Sequence, residues 1–412
     1  MSIEWKMAWR NIWRNTRRSI LTILAIAFAC VLLVFMLSFQ FGAYEDMIRF
    51  SLRIRTGHMQ VQAEGYEENR AIRKVVENPE AVGAVLDEQQ GVRAYTYRSN
   101  AFSLLSSKER TYGALVSGIV PERESGVTNI EEIIQKGEYL AEGDANQVLV
   151  GNLLADNLKV DVGDDVVVLG QARDGSVAAS VLTVRGIFSS GMSGMDRGFA
   201  LITRETFDGL YFMRGAAHEV VAMCDSLDAV GPVESAVQSA VDGMDNKHPL
   251  EVWNWNELIP GLLQGIKIDF FSGIIFYLIL IIVVAFSILN TFLMAVFERT
   301  KEFGVLMALG TTSRRLTKLL LLESSFLCLV GMILGIAGGA VFTLFMEQHG
   351  IRIAGVEDVL REYGLPAVLR PRLSLATVLS GPAVVFVVTF LTALYPAFRV
   401  RMLKPVEALR SA

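Results

Sequence analysis

Residues that build active sites are scarce in this chain of 412 residues. It has three cysteines, and two of them, Cys30 and Cys328, fall inside apolar runs. Only Cys224 lies in the polar part, so an intramolecular disulfide there is excluded by count. The four histidines, His58, His218, His248 and His349, are scattered without the spacing of a metal site. No Gly-x-x-x-x-Gly-Lys-Ser/Thr loop occurs, so the chain does not cradle ATP by that route. Gly191-Met192-Ser193-Gly194 lacks the Gly-x-Ser-x-Gly spacing of a nucleophile and reads as a loop. Asp164-Asp165 and Glu131-Glu132 read as solvated turn or helix residues. No catalytic site, metal site or resident cofactor is therefore expected. A net charge of −5 gives no support for nucleic-acid binding, which needs a basic surface, so no nucleic-acid partner is expected.

Apolar side chains, by contrast, are abundant. A hydrophobic content of 52% and a mean hydropathy of +0.41 mark a membrane protein. Yet 20% charged residues are too many for a chain lying wholly in a bilayer, so a sizeable water-soluble domain is also expected. Four apolar runs reach the ~20 residues a span needs: 20–42, 269–297, 316–346 and 374–397. The first continues past Ala25-Ile26-Ala27 and Cys30, which argues for an uncleaved anchor rather than a signal peptide. The second is preceded by a helical pattern from 257, making a helix long enough to act as a lever. Asn290 within it is expected to hydrogen-bond between helices. Gly331, Gly335 and Gly339 form a small-residue stripe in the third, expected to pack on another helix of this chain rather than to dimerise. Pro382 is expected to kink the fourth.

Basic residues set the orientation. Lys6, Arg10, Arg14, Arg17 and Arg18 precede the first span, and further basic groups lie in 298–318 and from Arg399 onward. The positive-inside rule then places segments 1–19, 298–315 and 398–412 in the cytoplasm, with both termini. Residues 43–268 and the loop 347–373, which includes an amphipathic stretch at 356–363, fall outside.

The block 43–268 reads as α+β. Gly57-His58-Met59-Gln60-Val61-Gln62 alternates like a strand, and Asn78-Pro79 caps a helix. Strands are expected near 92–105 and 111–119, then strand, helix and turn over 147–164. Arg173-Asp174-Gly175 signals a tight turn between two more strands. Strand, helix and strand follow at 220–223, 227–242 and 250–253. The whole reads as a split β-α-β unit with an inserted β-rich subdomain at about 121–215.

Between the second and third spans lies 298–310, a charged amphipathic segment. Phe303, Leu306, Met307 and Leu309 recur at helical spacing and form one stripe. Such a segment suits a protein groove; a helix lying on the membrane surface is the plainer alternative. Its pattern is Glu298-Arg299-x-x-Glu302-x-Gly304-x-x-x-Ala308-x-Gly310. It resembles the coupling segment of the FtsX/MacB/LolC-E family of ABC transporter permeases, the type VII or mechanotransmission type. Ala8-Trp9-Arg10-Asn11-Ile12 with Arg14, Asn15, Arg17 and Arg18 is similar to the family's amphipathic N-terminal helix. Tyr395-Pro396-Ala397-x-Arg399, followed by Pro405, Ala408, Leu409 and Arg410, is similar to its terminal signature.

The resemblance implies four transmembrane helices in a bacterial inner membrane and a periplasmic α+β domain split by a smaller β-rich one. It implies that Glu298, Arg299, Glu302, Phe303, Gly304, Leu306, Met307, Ala308 and Gly310 dock onto a separate ATPase dimer. That dimer would hold ATP and Mg2+, and a second copy or a related permease would complete the complex. The chain lacks a fused ATPase, as the lipoprotein-releasing LolC/LolE branch does. Extraction of a lipoprotein or other lipid-like substrate from the outer leaflet is therefore the expected function. An FtsX-like subunit signalling to a cell-wall hydrolase, or a peptide or drug efflux permease, remains open. The segment 170–179 is expected to form a short hairpin rather than a long hook for a soluble carrier.

Overall fold

The computed structural model describes residues 3–352, 354–356, 359–360 and 368–401. Most of the expected stretch at 356–363 and the tail residues Pro405, Ala408, Leu409 and Arg410 lie outside them. In chain order, α1 (Ile3–Arg14) is followed by α2 (Thr16–Ser51), which ends in a π-helical turn, Leu52–Thr56. Next come β1 (Met59–Ala63), α3 (Pro79–Glu88), β2 (Val92–Ser106), β3 (Thr111–Ile119), α4 (Pro121–Val127) and β4 (Ile134–Gly137). They are followed by β5 (Gln147–Gly151), α5 (Asn152–Leu158), β6 (Asp165–Gln171), β7 (Val177–Phe188), α6 (Ser193–Gly198) and β8 (Phe199–Thr203). Then come α7 (Arg204–Tyr211), β9 (Glu219–Cys224), α8 (Val230–Val241), β10 (Leu250–Asn254) and α9 (Trp255–Leu258). The remainder holds α10 (Pro260–Glu298), α11 (Thr300–Ala308), α12 (Ser313–His349), the short pair β11 (Ile351–Arg352) and β12 (Val368–Leu369), and α13 (Leu375–Arg401). Two units result, a helical one and one formed mainly by residues 46–265.

Among the described residues, four stretches are long and apolar enough to cross a membrane: Thr16–Thr56, Pro260–Glu298, Ser313–His349 and Leu375–Arg401. These helices outrun the apolar runs that mark them. Hydropathy marks the bilayer edge, whereas a helix continues for as long as its polar residues tolerate helical geometry. The 39 residues of α10 make it about 58 Å long at ~1.5 Å per residue. Gly331, Gly335 and Gly339 are buried against α2. A Cβ on Gly335 would stand 2.4 Å from Cys30 Cβ and 2.7 Å from the Ala27 carbonyl oxygen. One on Gly331 would stand 2.8 Å from Ile26, so the two backbones approach closely because neither glycine carries a side chain. Pro382 lies inside α13, which remains helical across it.

Asn290, expected to hydrogen-bond between helices, is exposed on α10 and is turned to no described helix of this chain. The buried residues of α10 are Ile288, Phe292 and Val296, spaced by four, and Asn290 lies about 200° around the helix from Ile288.

The outer unit is built on a ten-stranded sheet ordered β10-β1-β9-β2-β3-β8-β5-β7-β4, with β6 pairing β2 and β7. The β3–β8 and β5–β7 pairs are parallel and the rest antiparallel. Strand β2 changes neighbour midway: Val92–Arg98 pair with β9, and Ser99–Ser106 with β3. One core gathers Val61, Val82, Leu86, Val220, Val237 and Val252 around α3 and α8. Another gathers Val116, Val150, Leu154, Val168, Leu182 and Phe207 around α5 and α7.

The β6–β7 hairpin is tight, with Ala172–Ser176 closing it through an Ala172 N–H bond to the Ser176 carbonyl at 2.9 Å. It does not project freely. Arg173 pairs with Glu77 at 2.5 Å and donates to the Met213 carbonyl at 2.8 Å. The outward face of its sheet exposes Phe102, Leu104, Val167, Leu169 and Val181, apolar residues drawn from β2, β6 and β7.

His218 is fully buried beside Tyr66. Its Nδ1 accepts the Asn100 N–H at 2.9 Å, so Nε2 carries the proton and donates to the Ile72 carbonyl at 3.1 Å. Burial pushes its pKa down to about 4 from the ordinary 6.5. Because the folded value lies below the unfolded one, its contribution is complete above pH 6.5 and is lost as pH falls towards 4. At 1.36 kcal/mol per pKa unit the loss is on the order of 3 kcal/mol. Thermal unfolding of the full chain followed from pH 7 to pH 4 should show this drop. His218→Gln, which keeps an acceptor and a donor but cannot titrate, should flatten it.

Candidate functional site

The segment between α10 and α12 folds from local chemistry. Helix α10 stops at Glu298 because Arg299 leaves helical geometry, with φ −101° and ψ 9°. Helix α11 then ends in a Schellman turn. The Gly310 N–H reaches the Met307 carbonyl and the Thr311 N–H reaches the Leu306 carbonyl, both at 3.0 Å. Gly310 takes φ +94° with nothing crowding it among the described residues, so glycine suits it for its backbone conformation.

The apolar stripe faces inward. Phe303 is 1% exposed and packs with Val296, Leu316, Leu320 and Val400, with half-buried Leu306 and Met307 beside it. Gly304 is buried too, and the Arg299 guanidinium stands 5.5 Å from the Phe303 ring centroid. The expectation that Phe303 and Leu306 fill a partner's groove is therefore corrected. Helical periodicity finds an apolar stripe, but it does not say whether the chain's own helices or another protein will cover it. The surface left open carries Lys301, Glu302, Val305, Ala308, Leu309 and Gly310, with Leu309 at 78% exposure.

Around this segment runs a set of ion pairs. Arg14 pairs with Glu302, Arg18 with Glu298, and Lys318 with Glu4 at 2.6 Å. The Arg14 guanidinium holds the Glu302 carboxyl below its ordinary range, and Glu302 in turn raises Arg14. At the centre sits Glu323, whose oxygens accept from Arg299 at 3.0 Å and from Asn11 at 2.5 Å. Both side chains of the Arg299–Glu323 pair are 13% exposed. Exposed pairs of this kind contribute ~0–1 kcal/mol, whereas losing one partner of a buried pair costs ~3–5 kcal/mol. The inner pair, half-buried, therefore matters more than the exposed ones.

Helix α1 lies along α12. Its Ala8 and Ile12 are buried, and Trp5 and Trp9 meet Phe326 edge-on. Trp5, Trp9 and Trp13 stay half-exposed in a row spaced by four, the amphipathic ring placement favoured at a membrane boundary. The sequence motif includes Asn11 but assigns it no partner, and Glu323 is absent from it. A signal existed for Glu323: it is the single acid between Leu316 and Phe345, and an isolated ionisable group in an apolar run calls for a named partner.

Phe303→Asp should destabilise the chain by itself, because it places a carboxylate in a closed apolar cluster; a loss of ~3 kcal/mol or more is expected. Leu309→Asp, on the open side, should stay within ~0.5 kcal/mol of the parent. Thermal unfolding in detergent without any partner protein measures both.

Two family models match the chain. The MacB-like periplasmic core domain covers residues 19–240, more than half of the chain, and the FtsX-like permease C-terminal region covers 274–405. The lipoprotein-releasing system transmembrane protein LolC of Xylella fastidiosa (strain Temecula1) is 27% identical over 411 residues, covering 95% of this chain and 93% of its own. Its counterpart in Neisseria meningitidis serogroup B (strain MC58) is 22% identical over 413 residues, covering 95% and 94%. Among solved structures, the periplasmic region of MacB from Actinobacillus actinomycetemcomitans is similar with a TM-score of 0.36 and 14% identity, covering 53% of this chain and 95% of that one. The chain belongs to the FtsX/MacB/LolC-E family of ABC transporter permeases, joining a MacB-like periplasmic core domain to an FtsX-like permease C-terminal region.

Proposed function

We propose that this permease couples ATP hydrolysis by a separate ATPase dimer to movement of its periplasmic domain, releasing a lipoprotein or similar lipidated substrate from the outer leaflet of the inner membrane. The observation that carries this reading is the end-to-end likeness to proteins named for lipoprotein release. Helix α11 supports it by position: it interrupts two spans, is tied to the chain by Phe303, and keeps an open face with Val305, Ala308 and Leu309. That face, with Lys301 and Glu302 beside it, is the docking surface for the ATPase, and Glu298, Arg299 and Met307 shape it from behind. ATP and Mg2+ bind the ATPase dimer, and a second permease chain completes the complex.

The outer domain acts as the moving part, read as a split β-α-β unit. Strands β1, β9 and β10 with α3 and α8 share one core, and the segment at about 121–215 is inserted. It joins the same sheet through β6, which pairs with β2, and β8, which pairs with β3. Termini and α11 face the cytoplasm, following the basic residues of α1, of 299–318 and of Arg399 and Arg401.

Co-purification tests the docking. Val305→Asp and Leu309→Asp should each cut the recovered ATPase at least tenfold while the permease stays folded; undiminished recovery refutes the docking surface. A cysteine at exposed Asp174 should react with an impermeant reagent in cells whose outer membrane is opened, and one at exposed Thr312 should not. Labelling at Thr312 would overturn the orientation. Release of an acylated lipoprotein from reconstituted vesicles, dependent on ATP, tests the substrate class.

A further inference from the structure

The π-helical turn Leu52–Thr56 ends the helix begun by the first span, and it is held by more groups than a helix end needs. A terminated helix leaves several carbonyls without partners. Here four of them are received. The Leu52 carbonyl takes the Gly57 N–H at 3.0 Å, and the Arg53 carbonyl takes the Asn129 N–H at 3.0 Å. The Arg55 carbonyl accepts from the Arg98 guanidinium, and the Thr56 carbonyl accepts from Gln60 Nε2 at 2.7 Å. Single π turns are rare and cluster at functional places.

The side chains of the turn reach both sides of the sheet. Ile54, 3% exposed, enters a cluster with Ile119, Ile130, Leu149, Phe188 and Leu201, which belongs to the β3–β8–β5–β7 side of the sheet. Arg55 lies over the Phe199 ring at 4.7 Å and reaches Glu219 of β9, on the other side, at 3.6 Å. Between them stands Arg98, the residue at which β2 passes from β9 to β3. Its guanidinium is bidentate to Glu124, at 2.5 and 3.2 Å, with both residues under 3% exposed. A buried pair of this kind is a weak source of net stability, and in some proteins it serves to fix one geometry.

Resting on the coupling function proposed above, we infer that the turn Leu52–Thr56, clamped by Arg98–Glu124 and Arg55–Glu219, is the rigid joint through which the first span moves both halves of the outer domain together. Ile54 carries one half and Arg55 the other. Arg98 and Glu124 are positioning residues: they touch no substrate and act by fixing the turn.

The full chain with its ATPase, reconstituted in lipid, provides the test. The double variant Arg98→Met/Glu124→Met removes the clamp with side chains of similar length and leaves no charge unpaired. ATP turnover should stay within twofold of the parent while ATP-driven release of an acylated lipoprotein falls at least tenfold. Ile54→Ala, which loosens the other grip and leaves the ion pairs alone, should uncouple in the same way. Spin labels at Arg53→Cys and Glu122→Cys, both exposed, report on the parent joint directly. Their distance distribution should be narrow and identical without nucleotide and with ADP–vanadate, and should broaden in the double variant. Unchanged release in both variants overturns the inference, and so does a nucleotide-dependent shift of the parent distance. If the double variant does not assemble, Ile54→Ala and the parent distances decide. Absence of ATP-driven release in the parent itself would count against the proposed function, and the label distances would still judge the joint.

Discussion

The close approach of α12 to α2 is the contact on which the helical unit depends. Inside a bilayer, apolar side chains gain nothing by leaving lipid for another helix, so association rests on shape. Gly331, Gly335 and Gly339 provide it by bringing α12 onto the Ile23–Val34 face of α2. Helix α13 uses the same device at Gly381, where a Cβ would stand 2.9 Å from Leu33. Helix α2 is thereby contacted on two sides, and Ser38 and Thr377 add a hydrogen bond at 3.0 Å.

Charge completes what shape begins. At the end where α1, α10, α11 and α12 converge, Glu323 is shielded and shared between Arg299 and Asn11. Attraction in such a place is strong only because water is scarce, and the same scarcity makes each partner indispensable. The outer pairs Arg14–Glu302 and Arg18–Glu298 are solvated and contribute little each. Together they keep α1 beside the connecting segment. Phe303 occupies the space behind them, so α11 is a built part of this unit and not a loose loop.

The outer unit obeys a different rule. Its single sheet serves two cores because β2 is long enough to pair with β9 first and β3 afterwards. The changeover at Arg98 and Ser99 cannot be apolar throughout, since backbone and side-chain polar groups from several elements meet there. Arg98 pairs with Glu124 there, and Asn100 joins Glu219 and His218, while Glu219 Oε2 accepts no hydrogen bond among the described residues. The result is a polar seam between two apolar cores, which fixes one arrangement of the halves.

Much of this was legible in the sequence, and the division has a physical cause. Span number, the membrane class and the existence of α11 follow from hydropathy and from local backbone preference. Those act within a few residues of one another, as the Schellman turn at Leu306–Thr311 does. The Gly331–Gly339 spacing likewise declares a close helix contact. What the sequence did not contain was the identity of each partner. Periodicity marked Phe303 as one side of a stripe, but only the packing of α11 against Leu316, Leu320 and Val400 turned it inward and left Leu309 outside. Asn290 was marked as polar, and the burial of Ile288 and Phe292 decided that it faces away. Glu323 with Asn11, 312 residues apart, and Arg98 with Glu124 across the seam are contacts between distant parts of the chain. Local rules carry no information about them, because the burial that makes such pairs matter exists only after the chain has folded.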